Sequence, residues 1–250
     1  MDRRTLASLI ALTATFLAAP LSFAATPLSD VVTPGLLGKT LKYAEFKIGS
    51  PAMREVTDDL GIQRSTYELN GCIVSLGAQN NNVVSVGMLL NPAKGCDLDV
   101  NGIAQTPPGS KSKILASNTT FGDYAWRGPL HFTDPQVPLC NACGEGSFNA
   151  TIDGIGVFGM LSIQLEGATY TRDSNYDQWR SILRSGGIDM TDDNALPVTS
   201  ENCPLRRFDQ QAFPLLKGTK VTGIAFSRTR EVLQPQCNGK TVWPLIRRGG

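Results

Sequence analysis

Runs of apolar and polar residues divide the chain into segments with two different periods. Ser50 followed by Pro51 has the form of a helix start, and Met53, Val56, Thr57 and Leu60 then fall on one face before Gly61-Ile62, which predicts a helix over 51–60. A strand-like run over 66–76 follows, then a turn at Gln79-Asn80-Asn81-Asn82 and a return strand over 83–90. Phe148, Ala150 and Ile152 alternate with polar neighbours, Asp153-Gly154 signals a turn, and Leu161, Ile163 and Leu165 alternate again. That is the pattern of a hairpin with one buried face. Further on, Ser174 or Asn175 can cap a helix carrying Trp179, Ile182 and Leu183 at helical spacing, with Gly186-Gly187 to end it, and a strand is expected over 220–227. The fold class predicted is α+β: an antiparallel sheet with short helices packed on one face.

Two stretches share an order of events. Helix, Gly-Ile, cysteine, strand, proline and cysteine occur once from Ser50 to Cys96 and again from Ser174 to Cys237, with Met53 matching Trp179 and Val56 matching Ile182. Read as a duplication, they give two helix–hairpin units over 25–96 and 171–250 with a β-rich segment over 97–170 between them. The alternative is that any α+β domain offers a helix followed by a hairpin. The duplication pairs Cys72 with Cys96 and Cys203 with Cys237, leaving Cys140 with Cys143, each in a structural disulfide.

Residues 1–24 bear on whether those bonds form. Arg3 and Arg4 precede an apolar run over 6–19, then Pro20 and Ser22-Phe23-Ala24, the arrangement of a secretory signal cleaved after Ala24. The run is shorter than the roughly 20 apolar residues a bilayer span requires, so the mature chain is expected to lack a membrane span. A periplasmic or secreted location makes disulfides the first reading of the six cysteines. Removing Asp2, Arg3 and Arg4 brings the 23 basic and 22 acidic residues into balance, which argues against capture of nucleic acid or another polyanion.

Few residues are placed for chemistry. Cys140-Asn141-Ala142-Cys143 has the spacing of a thiol–disulfide oxidoreductase, but Asp134-Pro135 and Gly144-Glu145-Gly146 enclose it in a turn-rich loop without the helix that would stabilise a thiolate. A local staple is the plainer reading. A zinc site would need ligands that no second CxxC or histidine pair supplies. His131 is the one imidazole, so a Ser-His-Asp hydrolase would have to use it, and no Gly-x-Ser-x-Gly elbow marks a nucleophile. The spacing in Gly154-Ile155-Gly156-Val157-Phe158-Gly159 lies in a hairpin pattern and does not read as a dinucleotide loop. Asp58-Asp59 is expected on the solvated face of the first helix. Asp192-Asp193-Asn194 is expected in a loop, where calcium is the functional alternative to plain solvation. Tyr124 and Trp126 beside His131 are the candidates for a binding surface, against the plainer reading of core aromatics. No cofactor and no metal are expected.

Phe46-Lys47-Ile48-Gly49-Ser50-Pro51, with Val56 and Leu60-Gly61 downstream, resembles the helix–hairpin modules of bacterial envelopes: the BamE-like assembly lipoproteins and the beta-lactamase-inhibitor-protein-like modules, in which such a stretch opens a helix ending in Leu-Gly. The lipoprotein cysteine of the first family is missing, and the insert over 97–170 is foreign to the second. The resemblance implies a non-catalytic role in binding another envelope or secreted protein, as an inhibitor, immunity factor or assembly accessory. The alternatives carried forward are an oxidoreductase using Cys140 and Cys143, or a hydrolase using His131.

Overall fold

A computed structural model describes residues 26–58, 60–101, 104, 112–132, 145–154, 161–170, 174–187 and 205–228. Its strands are β1 (Arg54–Thr57), β2 (Gln63–Leu69), β3 (Cys72–Gln79), β4 (Asn82–Leu89), β5 (Leu130–Phe132), β6 (Glu145–Gly154), β7 (Leu161–Tyr170) and β8 (Gly223–Ser227). The helices are α1 (Leu28–Val31), α2 (Leu41–Ile48), α3 (Ser174–Ser185) and α4 (Asp209–Leu216). All eight strands join one antiparallel sheet in the order β1-β2-β3-β4-β8-β7-β6-β5.

The register explains why the sheet has two unlike faces. Tyr67, Val74, Met88, Ile224, Leu165, Ala150 and Phe132 align across seven strands, and Leu76, Val86, Phe226, Ile163, Ile152 and Leu130 form the next row on the same face. The intervening rows are small or polar: Thr66, Ser75, Gly87, Ala225, Gln164, Thr151 and His131, then Arg64, Gly77, Ser85, Ser227, Ser162 and Asp153. Because side chains alternate along every strand, one register serves both patterns. Leu41, Ala44 and Ile48 of α2, Trp179 and Leu183 of α3, and Ala212 and Leu216 of α4 share one buried cluster with the residues that β2, β3, β4, β5, β7 and β8 give to these rows. The expected α+β sheet with helices on one face is therefore the observed architecture.

Three local expectations are corrected. The described residues of 51–60 do not form a helix; 54–57 are strand β1, and the helix lies earlier, at α2. Thr40 caps α2 by accepting from the Tyr43 N–H at 3.2 Å, and Gly49 ends it in the left-handed conformation with φ 73°. The stretch Phe46 to Gly49 thus closes a helix instead of opening one. The matched positions Met53 and Val56 lie just before and within a strand, whereas Trp179 and Ile182 lie in α3. The expected single strand over 66–76 is a hairpin, turned by Asn70 and Gly71 at φ 53° and 78°. Asn-Gly supports such a turn because both residues tolerate positive φ. The second turn, at Asn80-Asn81, and the return strand fall where expected, as do α3 and the pairing of β6 with β7, but Asp153 and Gly154, expected as the turn, are the last residues of β6 and pair with Ser162 and Leu161.

Cys72, opening β3, bonds to Cys96, with Cα atoms 5.4 Å apart. The bond holds the segment leaving β4 against the start of β3. Cys140, Cys143, Cys203 and Cys237, the signal-like residues 1–24, the glycines 156 and 159, and Asp192-Asp193 lie outside the described residues. Among the described residues no helix is long and apolar enough to cross a membrane, and no cluster of metal-ligating side chains occurs.

Candidate functional site

Two carboxylates organise the two ends of the sheet. After β1, Asp58 turns the chain toward β2: its Oδ1 accepts from the backbone N–H groups of Leu60 and Ile62, each at 3.0 Å, and Gly61 supplies the positive φ at 71°. Its Oδ2 accepts from Arg64 Nε and Nη2, each at 2.8 Å. Asp58 is buried, which corrects the expectation of a solvated helical pair; Asp59 lies outside the described residues. Burial pushes the Arg64 guanidinium below its usual range, while the charge and hydrogen bond of Asp58 oppose that shift. A charge removed from water requires such a partner.

At the other end, His131 Nδ1 lies 2.8 Å from Asp209 Oδ2, and Asp209 Oδ1 accepts from the Phe132 N–H at 3.0 Å. The carboxylate at the start of α4 therefore holds the imidazole and occupies a backbone donor of edge strand β5. Asp209 was not marked by the sequence because its pairing with β5 joins residues far apart in the chain.

Of the other candidate binding residues, Tyr124 is fully buried, its hydroxyl 3.1 Å from Thr119 Oγ1. It is a core residue and does not belong to a contact surface. Its phenol is pushed up to about 12, first by burial and then by the nearby Asp123 and Asp97, with the Thr119 hydrogen bond acting the other way. Trp126, from the same 3-10 turn Phe121–Arg127, is 53% exposed with the Arg127 guanidinium 5.4 Å from its ring centre.

Three other large apolar side chains stand exposed, two on α2 and one just before β1. Phe46 is 81% exposed, Met53 61% and Tyr43 45%. Tyr43 and Phe46 stand three residues apart on α2, on the side away from Leu41, Ala44 and Ile48, so they are neighbours on the helix surface. The chain beyond Gly49 runs beside the end of β2, where Ser50 Oγ donates to Glu68 O and the Met53 N–H donates to Thr66 O. Tyr67 binds the two segments together. Its hydroxyl donates to Glu45 Oε1 at 3.1 Å. Burial chiefly, then Glu45 and Glu55, push its phenol up to about 12, while a hydrogen bond with Ser65 lowers it. The signal for this surface was present in α2, where Tyr43 and Phe46 are large apolar residues outside the buried stripe.

No family model and no curated protein matches the chain. Among solved structures, a cysteine-rich secretory protein from Staphylococcus aureus subsp. aureus Mu50 is similar at 13% identity, over 80% of this chain and 45% of that one, with a TM-score of 0.33. The chain spans less than half the length of that protein, and a likeness of this size transfers neither fold nor function.

Proposed function

We propose that this protein is an exported, non-catalytic binding module that engages another envelope or secreted protein through the surface formed by Tyr43, Phe46 and Met53. The observation that carries the reading is the exposure of three large apolar side chains, Phe46 at 81%, Met53 at 61% and Tyr43 at 45%. Aromatic residues and methionine are enriched where proteins bind one another, and a contiguous exposed apolar surface marks such a site. The Cys72–Cys96 bond fits an oxidising compartment, where the inhibitor, immunity or assembly roles implied by the envelope-module resemblance would operate.

The test is a complex recovered from the exporting cells with the full chain. A stoichiometric complex lost on Phe46→Asp and retained on Trp126→Asp supports the reading. A complex lost only on Trp126→Asp, or none retained by the unaltered chain, contradicts it.

The hydrolase alternative has one observation in its favour, the Asp209 carboxylate on His131 Nδ1, which is the orientation a general base requires. Hydrolysis of a panel of ester and amide substrates that disappears in His131→Ala would support it; activity retained in that variant would dispose of it.

A further inference from the structure

The helices account for the burial of one face of the sheet, and the other face is buried too. On the small and polar rows Ser75, Ser85, Ser162, Ala225 and Ser227 are all buried, Ser75 at 1% exposure and Ser85 at 0%. Ile62 and Ala225 are buried apolar residues that stand outside the cluster the helices share with the apolar rows. Ile62 and Arg64 lie close to Gly77 at one margin of these rows. Serines at the centre of an open sheet face would be wet, so a second layer of chain covers them.

The floor beneath that layer is flat and polar. Ser75 pairs with Gly87 and Gly77 with Ser85, a block of alternating serine and glycine on β3 and β4. Neither glycine has room for a side chain: a Cβ on Gly87 would stand 2.7 Å from the Ala225 Cβ, and one on Gly77 would meet the Ser85 hydroxyl. Glycine inside a strand allows another backbone to approach closely. The Ser75 and Ser85 hydroxyls have no hydrogen-bond partner among the described residues. Buried polar groups are paired as a rule, and a backbone carbonyl lying on this floor would pair them.

We infer that residues 229–250 of this chain form the covering layer, crossing the small face over β8, β4 and β3 with backbone carbonyl groups accepting from Ser85 and Ser75.

The other stretches outside the described residues begin and end elsewhere. Residues 102–111 leave and return on the helix side, because Val100, Ala104 and Ala116 belong to the apolar cluster and Asn101 Nδ2 donates to Ser112 O at 2.9 Å. Residues 188–204 run between Leu183 and Leu205, both in that cluster, and the chain before α1 leads to Val31 of the same cluster. Residues 133–144 join β5 to β6 at the far edge. Crossing from there to β3 and back, at roughly 4.8 Å per strand, takes about 43 Å. That is nearly all the length of the roughly 13 extended steps from Phe132 to Glu145, with none left to rise above the sheet. Residues 155–160, closing the β6–β7 hairpin, are too few to reach β3 and return. By contrast, residues 229–250 follow directly from β8, which lies beside β4 and whose Ser227 pairs with Ser85. These 22 residues can extend to about 70 Å, and they bring Val242, Trp243, Leu245 and Ile246 as apolar partners for Ile62 and Ala225.

The test uses the full chain labelled at its alanine methyl groups, with the Ala225 signal identified by its loss in Ala225→Gly. Nuclear Overhauser contacts from that methyl to protons of residues 229–250 are expected. Contacts in their place to 102–111, 133–144, 188–204 or the residues before Thr26 would overturn the proposal, as would contacts to the neighbouring strands alone. Ala225→Trp, whose ring would lie across the floor at Gly87, should lift the segment. Trypsin cleavage after Lys240, read by mass spectrometry after reduction, should then become faster by about tenfold or more while amide exchange in β3 and β4 stays slow. Equal cleavage rates in the two folded chains would overturn the proposal. Where that variant does not fold, the contacts of the unaltered chain decide.

Discussion

The β1 end and the β5 end each depend on one aspartate, but the two carboxylates are used differently. Asp58 is 5% exposed and directs both oxygens inward, to two backbone N–H groups and to Arg64, so it stabilises the β1–β2 turn and leaves the strand edge bare. Asp209 stands nearer solvent and divides its oxygens between His131 and the edge N–H of Phe132. One end is therefore firmly held by a strand that, among the described residues, pairs on one side only, and the other is more loosely held with the Phe132 N–H already taken. The difference shows that stabilising the end of a sheet and closing its edge are separate tasks, which need not fall to the same residue.

The sharpest way to break this comparison is to remove Asp58. Asp58→Ala removes a buried partner of the Arg64 guanidinium and the acceptor of two backbone donors, and denaturant titration should show a loss of about 3–5 kcal/mol. Removing the disulfide with Cys72→Ser and Cys96→Ser should cost about 3.5 kcal/mol in the chain-entropy treatment of a 24-residue separation, again by denaturant titration. Asp209→Ala should cost about 1–2 kcal/mol, less than Asp58→Ala because its partners can reach water. In that variant the Phe132 amide should exchange faster, and Asp209→Asn, which keeps an acceptor for it, should restore part of its protection.

The buried phenols give a pH test at both ends. Tyr67 and Tyr124 are each raised to about 12 in the folded chain, against about 10 when unfolded. The neutral phenol is thus favoured by folding, and its contribution is complete below pH of about 10 and lost as pH rises toward about 12. Phenolate absorbance should show these two tyrosines ionising late, with stability falling in the same interval. Replacing Tyr67 or Tyr124 with Phe should each remove one late-ionising group. The smallest effect is expected at the exposed surface: Phe46→Ser should change stability by no more than about 0.5 kcal/mol while weakening partner binding. A large stability loss there would show Phe46 to be a packing residue after all.

Local patterns made part of this legible. The β6–β7 hairpin was readable because its apolar residues keep a period of two, and α3 was readable because Trp179 and Leu183 recur at helical spacing before Gly186-Gly187. The helix at 51–60 was a false reading of Met53, Val56 and Leu60, whose spacing is helical although 54–57 pairs with β2. The true signals lay at Thr40 and Gly49. The hairpin through Asn70-Gly71 was legible, since Asn-Gly stands where the alternation of Tyr67 and Leu69 changes phase to Cys72, Val74 and Leu76, although the single strand expected over 66–76 passed over it. β8 was recognised as a strand, but its place between β4 and β7 follows from tertiary pairing that no local window contains. For the same reason Cys72–Cys96 could be anticipated from order along the chain, whereas Asp209 beside His131 could not. Tyr124 and Trp126, two residues apart, separated into core and surface because they lie in a 3-10 turn, where neighbouring residues do not simply alternate between two faces.

Hydrogen exchange of the full chain, free and bound to the partner protein it retains, compares the two edges in one measurement. Slowed exchange in α2 around Tyr43 and Phe46 and at Met53 on binding, with Leu130–Phe132 unchanged, is the predicted result. Protection gained at Leu130–Phe132 and around Trp126, with α2 and Met53 unchanged, would contradict the account.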